Sequence, residues 1–268
     1  MPDLPQYEVF AIKFGSVERR RSENFLGGDP HDGPMPLDYF LWAIRGAGRT
    51  FVIDTGFGEA EALKRNRHRL RDPSDGLRAL GIEAAAVEDV VITHLHYDHA
   101  GSLDQFPRAR FHVQDNEVAY ATGRHMCHAA INRHYAVDDV VQMIRAVYAG
   151  RVSFHDGDAT LAPGLSLHRI GGHTMGMQSV RVHTRRGWVV LASDASHLYA
   201  NMEEGRPFPI VHNMTETIDG YATLRRLAES PKHVIPGHDP QVMTRYPSPS
   251  AALEGIAVRL DVEPSATP

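Results

Sequence analysis

The chain has 268 residues, 42% hydrophobic and 23% charged, a soluble globular balance sufficient for one sizeable core. Its net charge of −5 argues against nucleic acid as a partner, and no apolar run approaches the roughly 20 residues that a membrane span needs. The lone cysteine, Cys127, excludes an intrachain disulfide and leaves no call for an oxidising compartment. Met1 to Gln6 has neither the basic start nor the apolar core of a secretory leader, so a cytoplasmic protein is expected. One domain over residues 1–268 is expected.

Tyr7 to Phe14 reads as a strand. Arg19-Arg20-Arg21 follows, expected as a solvated turn, with a basic patch that steers substrate as the alternative. The Gly/Pro-rich stretch from Glu23 to Pro36 carries Phe25, Leu26 and Met35, which predicts a flap over a site rather than a disordered tail. Leu37 to Arg45 and Thr50 to Asp54 are strands of a hairpin around Gly46-Ala47-Gly48-Arg49. A charged helix is expected over Glu59 to Arg69, and a shorter one over Pro73 to Leu80, stopped by Gly81.

Val90-Val91-Ile92 then runs into Thr93-His94-Leu95-His96-Tyr97-Asp98-His99-Ala100-Gly101. Three imidazoles and one carboxylate in six residues would stay unsatisfied unless something binds them. In an extended segment His94 and His96 point the same way, because side chains alternate. After the turn, Asp98 and His99 are expected to face a neighbouring space, so one loop serves two adjacent metal sites. Tyr97 either lines the pocket or packs under the loop.

Arg110 to Val113 is the next strand, and Asp115 is expected to cap a helix to about Thr122. Arg124 to Gly150 reads as mostly helical, with Val137, Val140, Val141, Ile144 and Val147 as its apolar stripe. Its first part, Arg124 to Ile131, is expected to wall a substrate pocket. Val152 to Phe154, Leu165 to Ile170, Ser179 to Val182 and Trp188 to Ala192 carry sheet signals. Further ligand-type side chains follow apolar runs: His173 in Gly171-Gly172-His173-Thr174, Asp194 after Trp188 to Ala192, and His238 in Pro236-Gly237-His238-Asp239. The loop from Asn201 to Asn213, with Phe208 and Ile210, is a second candidate pocket wall. A Thr215-capped helix to Ala228 and a peripheral tail from Ser248 complete the expectations.

HxHxDH with a later GGHT, a strand-terminal Asp and a final GHD resembles the metallo-β-lactamase superfamily, and within it the N-acyl-homoserine lactonase group. The resemblance covers about Asp54 to His238. It implies an α/β fold, a four-layer αββα sandwich. It also implies two divalent metal ions, expected to be Zn2+: His94, His96 and His173 on one, Asp98, His99 and His238 on the other, and Asp194 bridging both. Donors of imidazole and carboxylate without thiolate suit zinc, with iron, cobalt and manganese as alternatives. Asp54 is expected to orient a metal-bound histidine, the alternative being an Asx-type turn residue. Flavodiiron relatives place Glu at the second motif position, where this chain has His96.

The better-known homoserine lactonases carry a tyrosine three positions after the bridging aspartate, thought to stabilise the oxyanion. This chain has His197 there and Tyr199 two further on, so either side chain or the metal alone is left to hold that charge. The resemblance implies metal-assisted opening of a lactone, with Asp98 or Asp239 moving the proton and N-acyl-homoserine lactone as the substrate expected. Phe25, Met35 and Phe208 are the candidates for holding an acyl chain. Another small lactone, ester, thioester, β-lactam or organophosphate keeps the same mechanism. Outside enzymes, the alternative is a non-catalytic metal-binding protein. The expected partner is the small-molecule lactone, with a homodimer as the candidate assembly.

Overall fold

In the computed structural model, residues 4–265 are described. The strands are β1 (Glu8–Val17), β2 (Leu37–Gly46), β3 (Arg49–Ile53), β4 (His68–Arg69), β5 (Asp89–Val91), β6 (Arg110–Gln114), β7 (Val152–His155), β8 (Ala159–Ala162), β9 (Leu165–Arg169), β10 (Gln178–Thr184), β11 (Gly187–Ser193), β12 (Val234–Pro236) and β13 (Ala257–Arg259). One sheet runs β13-β1-β2-β3-β5-β6-β7, with β4 also paired to β1; the other runs β12-β11-β10-β9-β8. β1, β2 and β3 pair antiparallel, whereas β3, β5, β6 and β7 pair parallel.

The alternation of side chains explains the layers. In β2, Phe40, Trp42 and Ile44 join a core shared with Leu167, Val180 and Leu191 of the second sheet. Their neighbours Tyr39, Leu41 and Ala43 face the opposite way, into a core with Leu77, Val140 and Met143 of the outer helices. A strand covered on both faces must be apolar almost throughout, and β2 is. On the other side, Tyr221 and Leu224 of helix Met214–Leu227 complete the core of the second sheet. Helix, sheet, sheet and helix thus stack as the expected αββα sandwich.

Several local expectations are corrected. The charged helix stops at Lys64, because Asn66 takes a left-handed φ of 52° and the chain then forms β4. Helix Val137–Tyr148 buries Asp139, Val140, Met143 and Ala146 and leaves Val137 75% exposed, so the buried face is rotated from the valine stripe. Asp115 lies inside its helix, after Gln114 at the cap position. Asn213 caps helix Met214–Leu227, accepting from the backbone N–H groups of Thr215 and Glu216. The tail is not peripheral: β13 pairs with Phe10 to Ile12 of β1.

Candidate metal centre

The parallel strands and the second sheet point their ends toward one edge, where the ligand-type loops meet. β5 leads into His94 and His96, and a single helical turn, Tyr97–Ala100, swings Asp98 and His99 round. Asp194 directly follows β11, and His238 follows β12, parallel to it. The alignment of β11 and β12 brings Gly237 against Ser193: a Cβ there would sit 2.8 Å from Asp194 Oδ1 and from the Ser193 carbonyl oxygen, so glycine is required for this approach. Gly172, at φ +82°, likewise packs against the Thr217 backbone and lets His173 turn inward.

All seven side chains expected to hold metal come together, and all are buried. His96 Nδ1 lies 3.0 Å from both His94 Nε2 and His173 Nε2. Asp194 Oδ2 lies 3.7 and 3.3 Å from the His94 and His173 nitrogens. Its other oxygen, Oδ1, lies 3.3 Å from His99 Nε2 and 2.9 Å from His238 Nε2. Asp98 Oδ2 is 3.8 Å from each of those two nitrogens. One carboxylate thus offers one oxygen to each of two neighbouring triads.

This donor set fits a pair of divalent cations. Ligands about 2.0–2.2 Å from a tetrahedral ion stand roughly 3.3 Å apart, the middle of the spacings seen here. Among the described residues, His99 Nε2 and Asp194 Oδ1 are buried without a well-aligned hydrogen-bond partner, a cost that a cation removes. Burial, reinforced by neighbouring imidazoles, pushes the pKa of His94 and of His96 well below the ordinary histidine value. Burial does the same at His173, with Asp194 opposing it. Neutral imidazole is the form that binds metal.

The far nitrogens are fixed. His99 Nδ1 meets Asp54 Oδ2 at 2.8 Å, as expected of Asp54. Asp54 also accepts from the Thr93 N–H and hydroxyl, and it adopts a left-handed φ of 62°, with Ser193 beside it at 47°. Two non-glycine residues in that region next to one cluster mark backbone strain held by the surroundings. His173 Nδ1 donates to the Ile210 carbonyl and His238 Nδ1 to the Asp38 carbonyl. His238 is therefore oriented by the Asp38 backbone. The Asp239 carboxylate instead accepts from the backbone N–H groups of Tyr199 and Gln241.

Above the cluster opens a cavity of about 380 Å³, lined by Asp98 and His197 among others. His197 stacks on Phe208, rings 3.7 Å apart and 6° from parallel, and its Nε2 is 3.0 Å from Asp194 Oδ2. Tyr199 does not join them. It opens the helix Tyr199–Glu204 and packs in the core, with Arg245 over its ring. Tyr97 both lines the cavity and packs: its hydroxyl bonds to Tyr39 and Arg67, and burial, then Asp98, pushes its pKa up to about 12. Phe208 and Ile210 line the cavity, whereas Phe25 is buried between Arg21 and Arg206, and Met35 packs behind Leu37 and Phe208.

Sequence reasoning missed Glu117. It is fully buried on helix Asp115–Thr122, accepting from the Leu95 N–H (2.8 Å), the Thr174 hydroxyl (2.6 Å) and the Gly176 N–H (3.1 Å). It thereby ties the His94/His96 loop to the His173 loop. Its sequence neighbours, Asn116 and Val118, carry no signal that would have flagged it. His134, also missed, lines the cavity 5.5 Å from the His96 ring, and burial with Arg133 beside it lowers its pKa to about 4.

The family model of the metallo-beta-lactamase superfamily matches residues 36–239, which include the whole cluster. The chain belongs to the metallo-β-lactamase superfamily. Within that superfamily it is 30% identical over 176 residues to the N-acyl homoserine lactonase AttM of Rhizobium johnstonii, covering 64% of this chain. That alignment spans 65% of the relative, just under two thirds of its length. The AttM of Agrobacterium fabrum is 29% identical over 238 residues, 82% of this chain and 88% of that one. Among solved structures, a quorum-quenching N-acyl homoserine lactone lactonase superposes with a TM-score of 0.74 at 21% identity, covering 90% of this chain and 95% of that one. An N-acyl homoserine lactone hydrolase with N-hexanoyl-L-homoserine bound at its metal centre gives 0.72 at 20%, covering 88% and 94%. These likenesses establish the metallo-β-lactamase fold.

Proposed function

We propose that the chain is a dinuclear metal hydrolase that opens a lactone ring, with N-acyl-homoserine lactone as the substrate class its relatives suggest and quorum-signal degradation as the outcome. The observation that carries this reading is Asp194, whose two oxygens face separate histidine-containing triads at the base of an open cavity. His94, His96 and His173 would hold one ion, Asp98, His99 and His238 the other, and Asp194 would bridge. Zinc is the ion proposed, from thiolate-free donors at tetrahedral spacing. When bound, two such ions supply Lewis acidity toward the carbonyl and lower the pKa of water.

The chain's own groups do the rest. Asp98, at the cavity floor, is the carboxylate placed to pass a proton toward the leaving oxygen. His197, stacked on Phe208 with its Nε2 3.0 Å from Asp194 Oδ2, would donate to the carbonyl oxygen as charge grows there. Leu37, Phe208 and Ile210 form one apolar wall that excludes water from one side. Because the two sheets share a core, the whole chain is proposed as one domain. No helix among the described residues is long and apolar enough to cross a membrane, and the exposed unpaired Cys127 suits the reducing cytoplasm proposed for it.

The test is proton release from zinc-loaded protein offered short- and long-chain N-acyl-homoserine lactones, γ-butyrolactone and a thioester. Metal-dependent turnover of the acylated lactones, lost in His94→Ala, is expected. Turnover of the thioester alone would overturn the lactonase reading while keeping the metal chemistry.

A further inference from the structure

The cavity over the metal centre is lined by four arginines: Arg19 on one wall, beside Leu37 and Phe208, and Arg65, Arg67 and Arg133. The carboxylates lining it are Asp98 and Asp194, both in the cluster, where two divalent ions would more than neutralise them. Among the described residues only Arg65 of the four has a carboxylate partner, Glu61, at 2.6 Å. Arg65 also donates to the Arg133 and Tyr135 carbonyls and lies 3.9 Å over the Tyr97 ring, so it braces the wall.

The other three are held by neutral groups, which fix a guanidinium without offsetting its charge. Arg67 donates to the Tyr97 hydroxyl (3.0 Å) and the Arg65 carbonyl (2.9 Å). Arg19 donates to the Glu23 carbonyl (2.6 Å), stands 5.0 Å over the Phe208 ring, and keeps a buried Nε without a partner. Among the described residues the Arg133 side chain reaches only His134, at 3.2 Å. The contrast within the triplet is sharp: Arg20 pairs with Asp32, and Arg21 with Asp29 and Glu204. Within that triplet the charge left without a carboxylate is Arg19, the one that faces the cavity.

We propose that the substrate carries an oxyanion, carboxylate or phosphate, on an arm away from the ring carbonyl, held by Arg19, Arg67 and Arg133. This rests on the reading of the site as a lactone-opening metal centre, and narrows its substrate. A guanidinium presents paired donors that match either oxyanion, and three of them compensate it fully. An uncharged acyl chain would leave the half-buried Arg19 and Arg67 facing apolar atoms, with Arg133 at the exposed rim left to solvent.

The test uses zinc-loaded protein and matched homoserine lactones whose N-acyl arm ends in a carboxylate, its methyl ester, or a phosphate. The expected kcat/KM is about tenfold or more higher for an oxyanion arm than for the ester, through KM, and the advantage shrinks with added salt. The faster of the two charged arms identifies the group. In Arg133→Ala and Arg67→Lys, the anionic-to-neutral ratio is expected to fall toward one; Arg133 is exposed, so its replacement leaves the fold intact. An ester arm as good as the charged ones, with the ratio unmoved in both variants, would overturn the proposal. Calorimetric titration with glutarate separates the two readings if no lactone turns over. Binding weakened about tenfold in Arg133→Ala would uphold the oxyanion pocket while sinking the lactonase reading, and equal binding would sink the pocket too.

Discussion

Replacing Glu117 by Gln keeps the shape of a side chain that holds two metal-binding loops together, and changes only its charge and half of its acceptors. Oε1 serves the Leu95 N–H, and Oε2 serves the Thr174 hydroxyl and the Gly176 N–H. An amide has one oxygen. If its nitrogen faces Leu95, that backbone N–H loses its acceptor. If it faces the other loop, the Thr174 hydroxyl can rotate and accept, but the Gly176 N–H cannot. Either way one buried backbone donor is orphaned, at about 1–3 kcal/mol, and the surviving bonds lose their charge assistance, at about 1 kcal/mol. Burial pushes the Glu117 pKa up, so the amide recovers some of the cost of a buried charge. The net loss is about 2–3 kcal/mol, which for a chain of this size lowers Tm by about 5 °C. Because the His94/His96 and His173 loops loosen together, zinc affinity falls about tenfold or more. Thermal unfolding of metal-free protein and competition with a zinc-binding dye measure the two effects. Unchanged Tm and unchanged zinc affinity would refute the idea that Glu117 holds the loops.

Asp54→Asn tolerates the same left-handed φ but weakens the bond to His99 Nδ1; the second metal is expected to bind about 10–100-fold more weakly, and two ions retained under chelator buffering would count against it. His197→Phe keeps the stack on Phe208 and removes the Nε2 near Asp194; kcat should fall about 100-fold with metal content unchanged, whereas a fall of only about threefold would remove His197 from the chemistry. Asp139 lies buried in the first turn of helix Val137–Tyr148, and burial, then Glu61, raises its pKa to about 7. The folded chain therefore holds a proton that the unfolded chain releases, so stability should fall as pH rises from about 4 to about 7. The rise from the ordinary carboxylate value to about 7 sets a ceiling of about 4 kcal/mol, and the helix N-terminus, which favours the anion, brings it to about 2 kcal/mol. Asp139→Asn should be more stable than the wild type by that amount at pH 8 and equal to it at pH 4; identical urea midpoints at both pH values would refute this.

What the sequence by itself determined is what depends on short stretches of chain. His94, His96, Asp98 and His99 are near neighbours, and His173, Asp194 and His238 each follow an apolar run, so their approach to one sheet edge was legible from alternation and strand-end placement. The αββα layering was legible through the family resemblance those motifs carry. What the tertiary structure decided is which of two local possibilities a neighbour selects. Spacing from Asp194 could not choose between His197 and Tyr199; the helix that begins at Tyr199 turns its ring into the core and leaves His197 on Phe208. The valines of helix Val137–Tyr148 made a stripe, but packing kept only Val140 of it and buried Met143 and Ala146 beside it. Glu117 and the uncompensated Arg19, Arg67 and Arg133 draw their meaning from partners, present or absent, far away in the chain. Covalent neighbours fix the order of groups along a strand; only packing decides which distant groups share a buried space, and burial is what makes an unpaired charge or a lost acceptor costly.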